Sequence, residues 1–244
     1  MNDHLLNTKK CYICKKTVDH FAPYQGGSEN VSLFIRELAV IGSDVDNFYC
    51  PHCNCHDRER HLFMYFDKLQ IWNIIQKSRL LHFAPEIQLM RTIQKLDLVE
   101  YVLADIKPTL PEIQKIDVTA IAFSDEYFDF LICNHVLEHV TNDFQALREL
   151  FRVLKQRGKA ILQTPYSPLI SKSFYDSKIN TNDLRRRFYG QEDHVRLYGE
   201  DLFLKMEEIG FIVLRYVHVE TLLGLDSTKY GVNPREDLIL VIKP

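Results

Sequence analysis

From Arg79 to its end the chain alternates short apolar runs with stretches of helical period. Arg79–Phe83 and Phe128–Cys133 are nearly unbroken apolar runs of strand length, as expected for strands covered on both faces of a parallel sheet. Residues 100–104, ending at Asp105, then 159–163, 211–217 and Leu238–Ile242 read the same way. Between them, 85–96 and Asp201–Ile209 are amphipathic, and 143–154 sets Phe144, Leu147, Leu150, Phe151 and Leu154 on one helical face. Pro85 suits a first helical position, and Gly158 and Gly210 are read as helix stops. Residues 117–121 form a short strand or a turn. Repeated β-α-β units predict parallel strands with helices on both faces. The last two strands have no evident helix between them, which predicts one antiparallel member at the sheet edge.

The first quarter of the chain follows another logic. Five of the six cysteines, Cys11, Cys14, Cys50, Cys53 and Cys55, lie there, while Cys133 sits alone in an apolar run and reads as core. Cys11-Tyr-Ile-Cys14 and Cys50-Pro-His-Cys53 are two C-x-x-C knuckles. Each presents two thiolates to one ion with little strain, and two together complete a tetrahedral zinc shell. Four thiolates leave no position for water, so such a site is structural. Cys11, Cys14, Cys50 and Cys53 are the expected ligands, and His52, Cys55 and His56 are each able to replace one of them. Residues 31–41, between the knuckles, read as a short helix or an irregular loop. After the second knuckle, Leu62, Phe63, Phe66 and Leu69 mark a helix that docks on the following domain. Arg58, Arg60 and His61 are either its solvated first turn or a charged wall of a substrate cleft. The expected division is a zinc-ribbon-like module over 1–60 and an α/β domain over 61–244.

Composition narrows the field further. At 244 residues the chain accommodates one α/β domain and a small appendage, and its net charge of −3 argues against a nucleic-acid partner. No apolar run approaches the roughly 18 residues of a membrane span, and Met1 to Lys10 lack the apolar core of a secretory signal. A cytoplasmic location without membrane attachment is therefore expected, where clustered thiols bind metal rather than form disulfides. Glycine is scarce, nine against about 17 expected at the usual ~7%.

The segment Phe128-Asp-Phe-Leu-Ile-Cys-Asn-His-Val-Leu-Glu-His139-Val, with 146–155, Gly158 and Ile161-Leu-Gln-Thr-Pro165, resembles the central half of a class I S-adenosylmethionine-dependent methyltransferase, and within it the type 11 group. Gln191-Glu-Asp-His-Val-Arg-Leu-Tyr198 and Glu208-Ile-Gly-Phe211 fit the same pattern, so the resemblance covers 78–244. It implies a Rossmann-like, seven-stranded, mostly parallel sheet with a reversed final strand. It also implies S-adenosylmethionine across the carboxyl ends of the strands, where open α/β sheets bind ligands. One departure matters: a glycine-rich loop usually follows the first strand, whereas this chain has Leu81-His-Phe-Ala-Pro-Glu86, a segment shared with a zinc-bearing subgroup. In that position Ala84 adds a Cβ and Pro85 removes an N–H donor.

Carried over residue by residue, the resemblance puts Phe83, Ala84 and Glu86 at the methionine part of the cofactor and Asp105 at the ribose hydroxyls. Asp117, Val118 and Thr119 edge the adenine, and Asn134 and His135 face the sulfonium; His139 is read as a packing or capping residue. The activity implied is in-line methyl transfer to a small-molecule or sugar-type acceptor, free or linked to a carrier. The chain needs a base only where the acceptor holds a proton, and His194, His135 and Tyr166 are the candidates. Arg185-Arg-Arg187 is a solvated helix face or a site for an anionic acceptor. Two other classes remain open. One is a methyltransferase-like binding protein without activity, and the other is a zinc-module adaptor for nucleic acid or protein.

Overall fold

The computed structural model describes residues 8–244. Residues 1–7 of the expected zinc module, and most of the segment read for a secretory signal, lie outside the described residues. The cysteine-rich segment opens with a hairpin, β1 (Lys9–Lys10) and β2 (Thr17–Val18), paired Lys9 to Val18 and Lys10 to Thr17. Its turn holds the first knuckle. The second knuckle follows an antiparallel bridge between Ala22 and Tyr49. Between them lies a five-residue helix, α1 (Leu33–Glu37), capped by the Ser32 hydroxyl, which accepts from the Ile35 amide.

Helix α2 (Asp57–Lys68) leads out of this segment. Glu59 accepts from the His56 amide at its start, and acidic first-turn residues with Lys68 at the end complement the helix dipole. After α3 (Ile71–Ile74) come β3 (Arg79–Phe83), α4 (Ile87–Ile93), β4 (Glu100–Asp105), β5 (Ile113–Lys115), β6 (Phe128–Cys133), α5 (Asp143–Val153) and β7 (Leu154–Ile161). The chain ends with α6 (Asn182–Tyr189), α7 (Asp201–Ile209), β8 (Ile212–Tyr216), two single-turn helices α8 (His218–Thr221) and α9 (Ser227–Tyr230), and β9 (Leu238–Ile242).

The main sheet has seven strands in the order β5-β4-β3-β6-β7-β9-β8. The first five are parallel, and β9 runs antiparallel to both neighbours. Side chains alternate between its faces. Leu81, Phe83, Leu131 and Cys133 pack with α5 and α7, whereas Leu80, Phe130 and Ile132 pack with α2, α3 and α4. Strand order reverses between β3 and β6, where Phe83 pairs with Cys133. The crevice at their carboxyl ends is the topological switch point of the sheet.

Four local expectations change. The reversed strand is inserted second from the edge, because β9 pairs with both β7 and β8. The outer parallel strand is Ile113–Lys115, and Asp117 follows it in a turn closed by its own side chain, which accepts from the Thr119 amide. Gly158 stops no helix: α5 ends at Val153 and the chain runs directly into β7, with Gly158 inside an irregular stretch of that strand. A Cβ at Gly158 would meet Leu154 Cδ1 at 2.7 Å and the Lys155 carbonyl at 2.8 Å, so the glycine is there for close approach. Pro85 stands before the helix rather than in its first turn, because Glu86 is extended and caps α4.

Candidate functional site

The loop after β3 is the first feature of the switch point. Ala84 adopts φ 46°, a left-handed conformation that glycine would hold without strain, and its N–H donates to the Ala104 carbonyl at 2.8 Å. Across the crevice, His135 after β6 is also left-handed, at φ 53°, with its N–H donating to the Gln163 carbonyl at 2.7 Å. Strained backbone on both sides of one crevice is typical of sites where geometry serves a ligand.

A chain of polar groups runs under this crevice. The Tyr101 hydroxyl lies 2.8 Å from His82 Nδ1, and His82 Nε2 lies 2.9 Å from Glu86 Oε2. Asn134 Nδ2 donates to Glu86 Oε1 at 3.2 Å, while Asn134 Oδ1 is buried without a partner among the described residues. Burial alone would raise the Glu86 carboxyl; the hydrogen bond and charge of His82 outweigh it and hold Glu86 below the usual carboxylate range. The crevice therefore presents a buried anion and an unpaired acceptor oxygen side by side.

Glu138 is the second buried carboxylate. Its Oε2 accepts from the Thr164 hydroxyl at 2.8 Å, and its Oε1 lies 3.3 Å from His135 Nδ1. Burial pushes it up, but the hydrogen bond and charge of His135 prevail and bring it down to about 2. His135 Nε2 is 3.8 Å from Glu236 Oε1. His194 is buried, with Nδ1 2.9 Å from the Tyr189 carbonyl and Nε2 turned toward Glu138; burial lowers its pKa.

Two adjoining clefts of about 330 and 360 Å³ open here and share Ser43, Val45, Arg58, His135, Gln191 and His194. The cysteine-rich segment roofs them. Tyr24, Phe48, Tyr49 and His56 wall the first, opposite Ala84, Pro85, Glu86 and Asn134. The second is lined by Arg36, Arg58 and Arg235 and by no carboxylate.

Of the residues singled out in the sequence, Ala84, Glu86, Asn134, His135 and His194 converge on the first cleft. Phe83 and Val118 are core residues. Asp105 ends β4, half-buried, with Oδ1 accepting from the Lys107 amide at 2.7 Å; Asp117 is exposed and Thr119 half-buried. None of these three lines either cleft. Tyr166 is turned into the core, bridged to Ile41 and Tyr198, with its hydroxyl accepting from Arg215 at 2.9 Å. Arg185, Arg186 and Arg187 also stay outside the clefts, and Arg186 pairs with Asp183 and Glu192. Of the three charges after the second knuckle, Arg58 is a cleft wall, while Arg60 and His61 are buried. The sequence reading missed the supporting groups His82 and Glu236, which betray no local spacing.

Next to the start of α2 the thiols gather. Cys11, Cys50, Cys53 and Cys55 have sulfur atoms within 4.8 Å of one another, and Cys14 Sγ lies 3.9 Å from Cys50 Sγ. Four sulfurs thus surround one point, with Cys55 where the knuckle spacing puts Cys14, and Cys14 stands beside Cys50. Buried Arg60 reaches this cluster, with Nη1 3.8 Å from Cys55 Sγ. A divalent ion on four thiolates carries a net charge of −2, which a buried guanidinium complements. The donor set fits zinc.

A methyltransferase-domain family model matches residues 81–162, the stretch that contains the end of β3, all of β6 and the crevice between them. The ubiquinone/menaquinone biosynthesis C-methyltransferase of Proteus mirabilis (strain HI4320) is 30% identical over 111 residues, which cover 40% of this chain and 44% of that protein. The chain thus spans less than half the length of this curated relative. Among solved structures, an S-adenosylmethionine-dependent methyltransferase from Archaeoglobus fulgidus superposes with a TM-score of 0.50 at 14% identity, over 75% of this chain and 94% of that one. This likeness is one of fold.

Proposed function

We propose that this chain, which carries a methyltransferase domain on the class I fold, transfers a methyl group from S-adenosylmethionine to a small-molecule or sugar-type acceptor. The observation that carries this reading is the convergence of Glu86, Asn134 and His135 at the switch point, inside the matched segment. The cofactor, when bound, supplies a methyl carbon already activated by a sulfonium. Its positive methionine end suits a crevice holding buried Glu86 and the unpaired Asn134 Oδ1. Asp105, at the end of the neighbouring strand, is assigned to the ribose hydroxyls, and the turn at Asp117, Val118 and Thr119 to the adenine edge.

The chain's own work is alignment and exclusion of water. His135, held in a strained backbone between Glu138 and Glu236, is the group assigned to take a proton from the acceptor; His194 supports it through Glu138. The second cleft is of small-molecule size, and Arg36 and Arg235 on its wall suit an acceptor with an anionic group. Zinc is assigned to Cys11, Cys50 and Cys53, with Cys14 or Cys55 closing the shell.

Calorimetric titration of zinc-replete protein with S-adenosylmethionine, beside an Asp105→Ala variant, tests the reading. Micromolar binding that the variant loses is the expected result. Folded, zinc-bearing protein that ignores millimolar cofactor would overturn it and leave the domain as a binding module.

A further inference from the structure

A glycine-rich loop holds a cofactor's carboxylate with free backbone amides, and the loop after β3 has few to offer. Pro85 has no N–H, and the Ala84 N–H is already spent on the Ala104 carbonyl at 2.8 Å. The Gln88 and Leu89 amides of α4 both donate to Glu59 Oε1, at 2.7 and 3.4 Å. A carboxylate entering this crevice would meet buried Glu86 and find little to bind it among the amides of the loop.

The missing cation stands on the opposite wall. Arg58 is the second residue of α2, three positions after Cys55, and it lines the cleft together with Ala84, Pro85, Glu86 and Asn134. Its Nε is buried with no hydrogen-bond partner, and its guanidinium forms no ion pair among the described residues. The two groups beside it in sequence are engaged: Asp57 accepts from the Asp44 amide, and Glu59 caps α2 and holds α4. A guanidinium left unpaired at a cleft wall is costly unless an anion completes it, and its fork matches a carboxylate in two parallel bonds.

We infer that Arg58, delivered by the zinc-bearing segment, is the anchor for the α-carboxylate of the cofactor's methionine part, replacing the amides of a glycine loop. The inference rests on the methyltransferase reading above. It makes the cysteine cluster part of the cofactor site, because the turn that binds metal sets where α2 begins and therefore where Arg58 points.

The experiment compares two probes on zinc-loaded protein by calorimetry. S-adenosylhomocysteine carries the carboxylate, and 5′-methylthioadenosine lacks the whole amino-acid part. Arg58→Met is expected to weaken S-adenosylhomocysteine roughly 10- to 100-fold and leave methylthioadenosine within about twofold. Arg58→Lys recovers part of the loss, since the charge returns without the fork. Equal losses for both probes, or no loss for either, would overturn the assignment while leaving the methyltransferase reading intact. Wild-type protein that binds neither probe would instead overturn that reading and the anchor with it. An unchanged zinc content and melting temperature in Arg58→Met shows that the loss is not one of folding.

Discussion

The guanidinium of Arg60 lies 3.8 Å from the centre of the Phe21 ring and donates to the carbonyls of Phe48, Cys55, Tyr230 and Gly231 at 2.8–3.2 Å, with a further bond to Asn47. One side chain thus ties the cysteine-rich segment, from Phe21 to Cys55, to the loop before β9. Replacing it with Met leaves several buried carbonyls without donors, each costing about 1–3 kcal/mol. Arg60→Met is expected to lose at least about 3 kcal/mol in chemical denaturation and to release zinc to a chromogenic chelator much faster than wild type. Arg60→Lys recovers little, because an ammonium cannot reach carbonyls spread around a planar fork. A variant with wild-type stability would refute the tie.

The cysteine cluster makes a different forecast. With Cys55 among the four gathered sulfurs and Cys14 beside Cys50, either thiol is expected to stand in for the other. Cys14→Ser and Cys55→Ser should each weaken zinc by about tenfold or less, whereas Cys11→Ser and the Cys14/Cys55 double variant lose more than about a hundredfold. Competition against a metal indicator, at one zinc per chain, reads the difference.

Ala84 pays roughly 1 kcal/mol for its left-handed backbone. Ala84→Gly removes that strain but adds freedom to the unfolded chain, so a net gain of about 0.5 kcal/mol or less is expected. Ala84→Val, with a branched side chain at the same φ, is expected to lose about 2 kcal/mol. Equilibrium denaturation of the pair checks the sign of each change.

Acid weakens the fold through His218. The Nδ1 of this buried ring lies 2.7 Å from His61 Nε2, and the ring faces Glu236 and Asp237 as well. Burial, then the neighbouring His61, lower its pKa to about 4. A histidine with a depressed folded pKa contributes stability that is complete above its unfolded value near 6.5 and is lost as pH falls through 4. The loss is of the order of 2 kcal/mol once screening is allowed for. Melting temperatures between pH 7 and 4.5 should fall less steeply in His218→Asn than in wild type.

Much of the fold was legible along the chain. The runs Arg79–Phe83, Phe128–Cys133 and Leu238–Ile242 and the helix Asp201–Ile209 have the bounds their periodicity predicts. The left-handed cap at Gly210, φ 115°, stops that helix as expected. These features depend on neighbours within one turn or one strand. The place of β9 between β7 and β8 was not legible, because strand order depends on which edges meet after the chain has crossed the sheet. Nor was the edge strand at 113–115, whose three residues are too few to show alternation.

The candidate site divides along the same line. Cysteine spacing marked the thiol-rich segment, and the family resemblance pointed to Ala84, Glu86, Asn134 and His135, each near the end of a strand. Tyr166 stood at such a place too, yet its bridges to Ile41 and Tyr198 turn it into the core. Only the tertiary structure set His82 under Glu86, and Arg58 opposite Ala84 and Pro85. Periodicity and spacing reflect forces that act along the backbone. The opposition of a lone cation and a donor-poor loop is decided by packing between segments far apart in the chain, where burial singles out the groups that have no partner.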